Sequence, residues 1–278
     1  MTMQRQTTVA GLRHELENRS GTIGFVPTMG ALHAGHISLV ERCRRECDVV
    51  VVSIFVNPTQ FNDPGDLLKY PRTPEADCSL LEKAGVDLVF APPVGEVYPQ
   101  ADTRQFGFGA LEQVMEGEHR PGHFNGVAQV VSRLFDIVKP DKAYFGEKDF
   151  QQLAIIREMV RQLALPVEIV GCPTERDADG LALSSRNMRL NPAQRAAAPL
   201  IYKALQDAVK EKGKTSADEL ACRTAECIDA DPELKTEYIT IADASTLQPV
   251  ASWDVPGAKR MFAAVWAGDV RLIDNIEL

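Results

Sequence analysis

The sequence predicts an α/β fold: a Rossmann-like, doubly wound parallel sheet followed by a smaller C-terminal α+β domain. Residues 48–56 are a nearly continuous β-branched run, typical of a strand buried on both faces of a parallel sheet. Strand-like and helical patterns alternate up to residue 172. Beyond it, two helical stretches precede three strand-like runs. We therefore place a boundary near residue 174, between a domain of residues 1–174 and a lid domain of residues 175–278.

The spacing of the apolar residues predicts the helices and strands, and proline, glycine and asparagine mark the loops and turns between them. In the first domain they are helix 9–17, strand 22–26, helix 37–47, strand 48–56, loop 57–73, helix 74–84, strand 86–90, helix 122–138, strand 142–145, helix 150–165 and strand 167–170. Residues 95–109 show no clear pattern. In the second domain they are helices 192–210 and 216–229 and strands 237–242, 260–267 and 270–276.

Bulk composition excludes several functional classes. The 278 residues carry a formal charge of −9, whereas binders of nucleic acid or anionic membranes are usually basic. No stretch is long enough to span a membrane, and the polar residues 1–8 are not a secretory signal. The six cysteines form no CxxC pair, which favours reduced thiols over disulfides or zinc. We therefore expect a cytoplasmic protein without a nucleic-acid or membrane partner.

The strand at 22–26 and the helix at 37–47 are joined by a segment that contains Gly30, His33, Gly35 and His36. The N–H groups and positive dipole at a helix N-terminus bind anions readily. The histidines are three apart and share a helix face. They suit phosphate recognition better than metal binding, for which a third ligand at a fitting offset is missing. A pair of helix-start residues without a role is the remaining interpretation.

Further polar clusters fall at other predicted junctions, mostly on one edge of the sheet. Residues 146–149 follow a strand, which places Lys148 where α/β ligands bind, although a plain helix cap with an exposed lysine is equally consistent. Residues 184–186 combine hydroxyls with a guanidinium and suit a phosphate clamp. Arg120 precedes a helix, and Asn57 follows a strand or simply starts a turn. Neither a P-loop nor a complete GxGxxG motif occurs.

Five segments together resemble the pantoate–β-alanine ligase family, a member of the HxGH adenylyl-transfer superfamily. They occur in the family's order and spacing across residues 26–187. The segments are VPTMGALHAGH at 26–36, FVNPTQF at 55–61, RPGHF at 120–124, FGEKDFQQL at 145–153 and SSRN at 184–187. The HxGH element alone indicates only the wider superfamily.

The resemblance implies an AMP-forming ligase of pantothenate biosynthesis. Pantoate and ATP would give pantoyl adenylate and pyrophosphate, and β-alanine would then displace AMP to form pantothenate. Magnesium would accompany ATP, and the family suggests a homodimer. The rival hypotheses are a nucleotidylyltransferase that stops after AMP transfer and a non-catalytic nucleotide-binding regulator.

The resemblance also implies site residues. The catalytic residues would be His33, His36, Lys148 and Arg186. The ATP-binding residues would be Pro27, Met29, Gly30, His33, Gly35, His36, Gly146, Glu147, Lys148, Asp149, Glu175, Leu183, Ser184, Ser185 and Arg186. Pantoate and β-alanine would meet Asn57, Gln60, Arg120, Gln152 and an apolar wall of Val127, Val130 and Val131. Asp77 is a candidate magnesium-side carboxylate.

Overall fold

The computed structural model describes residues 3–61, 64–250 and 252–278, without the side chain of Pro64. It divides into two compact units. The first contains Met1–Phe108, Arg120–Glu147 and Gln152–Pro173, and the second contains Gly109–His119, Lys148–Gln151 and Thr174–Leu278. The assignment of residues 1–174 to one domain and of residues 175–278 to a lid domain stays a prediction.

The first unit is built on a six-stranded sheet in which every described strand pair is parallel. Its strand order is β1-β4-β3-β2-β5-β6, which is a doubly wound arrangement with an additional edge strand. The strands are β1 (Gln4–Gln6), β2 (Ile23–Thr28), β3 (Val49–Ile54), β4 (Leu88–Phe90), β5 (Lys142–Gly146) and β6 (Glu168–Cys172). The predicted Rossmann-like parallel sheet is confirmed.

Helices connect the strands in both units. In chain order the helices are α1 (Val9–Glu17), α2 (Ala34–Glu46), α3 (Pro64–Lys69), α4 (Pro74–Lys83), α5 (Val94–Val97), α6 (Glu116–His119), α7 (His123–Val138), α8 (Phe150–Gln162), α9 (Pro192–Ala197), α10 (Pro199–Glu211) and α11 (Ala217–Asp229). Consecutive strand residues point to opposite faces. Val26 on β2 accordingly packs in the cluster that contains Leu39 of α2, whereas Phe25 meets Phe135 of α7 with ring centroids 6.3 Å apart.

Three of the segments that differ from the prediction have a clear physical reason. Residues 57–73 are not all loop, because they contain a 3₁₀ turn at Pro58–Gln60 and helix α3, each begun by a proline; residues 62–63 lie outside the described residues. β1 was missed because three polar residues pairing with β4 carry no apolar pattern. The single helix predicted at 192–210 is two helices, since Pro199 has no N–H and begins a new helix.

The second unit contains a three-stranded antiparallel sheet, which confirms the predicted smaller α+β part. Its strands are β7 (Leu234–Asp243), β8 (Lys259–Ala267) and β9 (Val270–Glu277), in that order. A turn joins the last two strands, with Gly268 at a φ of 59°. Apolar residues of α10 and α11 pack with the sheet in one core. In the described part of the chain, no helix has the length and apolar character needed to cross a membrane.

Candidate active site

The strand order of the first sheet changes direction at β2. From β2 the chain proceeds outward through β3 and β4, and it then returns to place β5 on the other side of β2. In open α/β sheets, ligands bind beyond the carboxyl ends of the strands at such a switch point. The segment that follows β2 holds both histidines, and β5 ends at Gly146. The first unit therefore places the histidine segment and the start of the motif at 145–153 at its switch point.

Helix α2 begins with a capping box made of two histidines. His33 is the N-cap, and its Nδ1 accepts a hydrogen bond of 3.2 Å from the N–H of Gly35. The Nδ1 of His36 in turn accepts one of 3.3 Å from the N–H of His33. Serine or threonine with glutamate or glutamine usually makes these two bonds. Here two imidazoles make them, with ring centroids 4.1 Å apart.

This geometry fixes the tautomer of both rings. A nitrogen that accepts a hydrogen bond carries no proton, so each neutral ring has its proton on Nε2. Each ring can therefore cap the helix through Nδ1 while its Nε2–H acts as a donor. The pair supplies N–H donors at the positive end of α2, an arrangement that suits an anion without a permanent positive charge on the rings.

The loop between β2 and α2 is shaped by Asp77 of α4. Its carboxylate accepts hydrogen bonds from the backbone N–H groups of Ala31 (3.0 Å) and Leu32 (2.8 Å) and from the hydroxyl of Thr73 (3.0 Å). Gly30 has a φ of 81°, and a Cβ there would lie 3.0 Å from Asp77 Oδ2. Asp77 is 1% exposed. These contacts give the carboxylate a structural role that the sequence pattern does not indicate.

The magnesium role of Asp77 stays a prediction. Among the described residues, no group of three or more histidine, cysteine, aspartate or glutamate side chains is arranged to hold a metal ion. Magnesium that arrives bound to the phosphates of ATP is part of the substrate and does not need such a group.

The turn after β3 presents Gln60. Asn57 is 1% exposed, and its Nδ2 donates to Gln60 Oε1 (3.2 Å) and to the carbonyl of Gly126 (3.3 Å). The hydroxyl of Tyr98 donates to Asn57 Oδ1 over 3.0 Å. The Nε2 of Gln60 lies 3.3 Å from the sulfur of Met29. Asn57 thus orients the Gln60 amide beside the segment that leads to the histidines.

The start of α7 holds the same turn from the other side. The Nδ1 of His123 lies 2.9 Å from the carbonyl oxygen of Gln60 and donates to it, because a carbonyl only accepts. A Cβ on Gly126 would lie 2.5 Å from the carbonyl oxygen of Thr59, so only glycine allows this approach. The sequence marked His123 as part of a motif but gave no signal for its partner, and Tyr98 and Gly126 were missed.

The remaining predicted residues of the first unit occupy more ordinary positions. Arg120 is half-buried just before α7, and Gln152 is half-buried in the first turns of α8. Pro27 lies within β2, and Glu147 begins a 3₁₀ turn.

The valines proposed as an apolar wall, Val127, Val130 and Val131, are buried side chains of α7. Their contact with pantoate stays a prediction.

In the second unit, Lys148 and Asp149 complete the 3₁₀ turn after β5. The side chain of Lys148 is 17% exposed, and its Nζ lies 3.8 Å from Asp149 Oδ2. The backbone carbonyl of Lys148 accepts a hydrogen bond of 3.0 Å from Asn275. Lys148 is therefore largely covered, which does not fit the alternative of a solvent-exposed lysine beside a helix cap.

Residues 175–183 of the second unit form a short hairpin. The N–H of Leu183 donates to the carbonyl of Glu175 over 2.9 Å, and Arg176 is bridged to Ala182. Ser184 then caps a 3₁₀ helix, Ser185–Arg189, by accepting a hydrogen bond from the N–H of Arg186. Ser185 is buried and Arg186 is half-buried. The hairpin and the serine cap bring Glu175 and residues 183–186, which the resemblance assigns to ATP, into one continuous structure.

The fold and these junctions define a nucleotide-binding α/β protein, and comparison with known proteins identifies its family. A family model described as Pantoate-beta-alanine ligase matches residues 2–277. The pantothenate synthetase of Porphyromonas gingivalis is 53% identical over an alignment of 278 positions, which covers 99% of this chain and 99% of that protein. The chain therefore belongs to the pantoate–β-alanine ligase family and is a ligase enzyme, as predicted in preference to the two rival hypotheses.

Solved structures agree with this assignment. The crystal structure of pantothenate synthetase from Thermus thermophilus has a TM-score of 0.93 at 50% identity, and the match covers 99% of both chains. The pantoate-beta-alanine ligase of Francisella tularensis, crystallised in complex with Beta-gamma ATP and Beta-alanine, has a TM-score of 0.82 at 36% identity. That match covers 99% of this chain and 97% of the other.

The role of Asp77 in the loop can be tested with the Asp77→Asn variant. Asparagine keeps the shape, but its NH₂ replaces an acceptor and faces a backbone N–H. We expect the free energy of unfolding to fall by about 1–3 kcal/mol, since a buried donor loses its partner. We expect kcat to fall about tenfold or more because the histidine loop is displaced. Thermal unfolding and steady-state kinetics measure both effects.

The control is Glu75→Gln, which removes an exposed carboxylate from the first turn of the same helix and should change neither quantity. The magnesium concentration that gives half-maximal activity should be the same in all three proteins. A higher magnesium requirement in Asp77→Asn, with normal stability, would contradict the structural role and support a metal ligand.

Proposed function

We propose that the chain carries out the reaction of its family in two steps at the histidine-capped start of α2. The overall reaction is the ATP-dependent condensation of pantoate with β-alanine to pantothenate, with release of AMP and pyrophosphate. The observation that carries the proposed site is the pair of imidazoles that caps α2 at the switch point of the sheet. The Francisella relative, crystallised with an ATP ligand and β-alanine, supports the choice of substrates.

In the first step, a carboxylate oxygen of pantoate attacks the α-phosphorus of ATP. A new P–O bond forms, the bond to the bridging oxygen breaks, and pyrophosphate leaves with the negative charge. Charge grows on the phosphoryl oxygens and on the leaving group, so fixed N–H donors and cations lower the barrier. We assign that task to His33, His36 and the N-terminus of α2, and to Lys148 and Arg186 of the second unit. Magnesium travels with the phosphates.

In the second step, the amine of β-alanine attacks the acyl carbon of pantoyl adenylate. The C–N bond forms, the C–O bond to the phosphate breaks, AMP leaves, and the amine gives up a proton. Gln60 and Gln152 are assigned to pantoate, with Gln60 also near β-alanine. The hydrogen bond from Asn57 supports this assignment, because it fixes the orientation of the Gln60 amide.

The other nucleotide contacts are proposals of the same kind. Glu175 would meet adenine through its backbone, Leu183 would cover the phosphates together with residues 184–186, and Asp149 would bind the ribose. The hydrogen bond that joins Glu175 and Leu183 supports this grouping. We also propose that residues 175–278 exclude water from the acyl adenylate, that the enzyme is cytoplasmic, and that it acts as a homodimer. The family resemblance supports the last two.

The reaction is tested by exchange of labelled pyrophosphate into ATP. We expect exchange that requires pantoate and does not require β-alanine, because the adenylate forms before the amine enters. Adding β-alanine should then give AMP and pantothenate in equal amounts. Exchange that proceeds without pantoate, or release of ADP, would contradict the proposal. Omitting pantoate from the same enzyme preparation is the control.

The role of the histidine cap is tested by His36→Gln, and that of the lysine by Lys148→Ala. Glutamine at the third position of a capping box can still accept the N–H of His33, so the helix start should stay intact. Lys148→Ala removes the ammonium donor, and His36→Gln replaces a fixed ring N–H with an amide on a more flexible side chain. Because a donor to developing charge is lost or displaced, kcat should fall by about a hundredfold to a thousandfold in each variant. The exchange assay and thermal unfolding together separate chemistry from stability.

Matched controls are His14→Gln and Lys210→Ala, which change an exposed histidine on α1 and an exposed lysine on α10. Both should behave as the wild type. Near-normal turnover in His36→Gln with an unchanged melting temperature would contradict a catalytic role that is specific to the imidazole.

A further inference from the structure

Two consecutive residues of β9, Asp274 and Asn275, are buried polar side chains of the second unit. They are 6% and 4% exposed, and the carboxylate of Asp274 accepts a hydrogen bond of 2.8 Å from the N–H of Asn275. Neither residue was singled out by the sequence. Each contacts a different segment that the proposed function assigns to ATP.

Asp274 holds the hairpin of residues 175–183. Its two carboxylate oxygens accept hydrogen bonds of 2.6 Å and 2.9 Å from the two terminal nitrogens of Arg176. The guanidinium of Arg176 also lies 3.5 Å from the ring centroid of Tyr202 and donates to the carbonyl of Gly180 over 3.2 Å. The planar guanidinium of Arg176 can meet this carboxylate, this carbonyl and this ring in only one orientation. Asp274 therefore fixes the position of the hairpin.

That hairpin determines the position of the residues of the second unit that we assign to the phosphates of ATP. Arg176 is paired with Ala182, and the following residues, Leu183 and Ser184, lead directly into the 3₁₀ helix that carries Arg186. Asn187 ties this helix back to the hairpin by donating to the carbonyl of Ala182 over 3.0 Å. A displacement of Arg176 would therefore be passed on to Arg186.

Asn275 holds the other segment. Its Nδ2 donates to the backbone carbonyl of Lys148, and its Oδ1 accepts a hydrogen bond of 2.5 Å from Arg260. The guanidinium of Arg260 lies 4.2 Å from the ring centroid of Phe150, and the ring of Phe262 lies 5.8 Å from that of Phe150. The residues on either side of Asp149 are thus fixed to β8 and β9.

We infer that Asp274 and Asn275 form a positioning pair, which sets the placement of Lys148 and of residues 184–186 from one strand. The inference rests on the proposed roles of Lys148 and Arg186 toward ATP. A contribution to the stability of the fold is a weak explanation for the buried ion pair of Asp274 and Arg176, since apolar replacements of buried ion pairs often leave a protein equally stable. A single strand that holds both segments fixes the distance between two cations that must meet the same polyphosphate.

The test uses two near-isosteric variants, Asp274→Asn and Asn275→Asp. The first places an NH₂ group against an N–H of Arg176, and the second replaces the donor to the Lys148 carbonyl with an acceptor. In each, we expect kcat/KM for ATP to fall by about tenfold to a hundredfold, because a misplacement of about 1 Å is enough for that loss. The KM for pantoate should stay within about twofold of the wild type, since Gln60 and Gln152 belong to the first unit.

The matched control is Asp243→Asn, in the same three-stranded sheet. The carboxylate of Asp243 caps the turn after β7 through Ser245 and Thr246 and has no contact with the ATP-binding segments among the described hydrogen bonds. This variant should lower the melting temperature and leave kcat/KM for ATP unchanged. If Asp274→Asn folds poorly, Arg176→Lys keeps the charge but loses the fork, and it should show the same selective loss for ATP.

Normal kinetics for ATP in Asp274→Asn and Asn275→Asp, with only a lower melting temperature as in the control, would overturn the inference. Lys148→Ala is measured beside them. If it loses activity while the β9 variants do not, only the positioning inference fails. If Lys148→Ala is also normal, the proposed role of the lysine fails, and the inference fails with it.

Discussion

The first turn of α2 depends on two imidazole nitrogens for its hydrogen bonds. The N–H groups of Gly35 and His33 need acceptors, and the Nδ1 atoms of His33 and His36 supply them. The same bonds hold each ring in the tautomer that carries its proton on Nε2. In the proposed site, helix capping and anion recognition would therefore be served by opposite sides of the same rings. The loop that delivers them depends in turn on Asp77.

An acidic protein that binds a polyanion must concentrate its donors locally. With a formal charge of −9, long-range attraction does not favour ATP, so short-range N–H donors and a few cations must provide the affinity. Neutral imidazoles at a helix N-terminus avoid the cost of burying a charge when the site is empty. Lys148 and Arg186, to which we assign contacts with ATP, are each held by a structured turn, which reduces the entropy that binding would cost.

The sequence predicted the sheet, the helix that starts near His36 and the segments that carry the motifs. These features depend on local signals, namely the spacing of apolar residues and the positions of turn-forming residues. It did not predict β1, whose three polar residues gain their structure only by pairing with β4. Nor did it show that Asp77 serves a loop 46 positions away, because an acid in the first turn of a helix also fits the dipole alone. Asp274 and Asn275 lie in a segment whose sequence pattern predicts a strand and nothing more. Their partners are distant in sequence, so only the folded structure reveals them.

The tautomers of His33 and His36 test the central claim most directly. Side-chain ¹⁵N NMR of the unliganded protein at about pH 9, where imidazoles are ordinarily neutral, distinguishes a proton on Nε2 from one on Nδ1. We predict the Nε2–H form for both rings, with His36→Gln providing the assignment. His123 is an internal reference of the opposite kind, because its Nδ1 faces a carbonyl and should carry the proton. An Nδ1–H signal from His33 or His36 would contradict the histidine capping box and the donor role that follows from it.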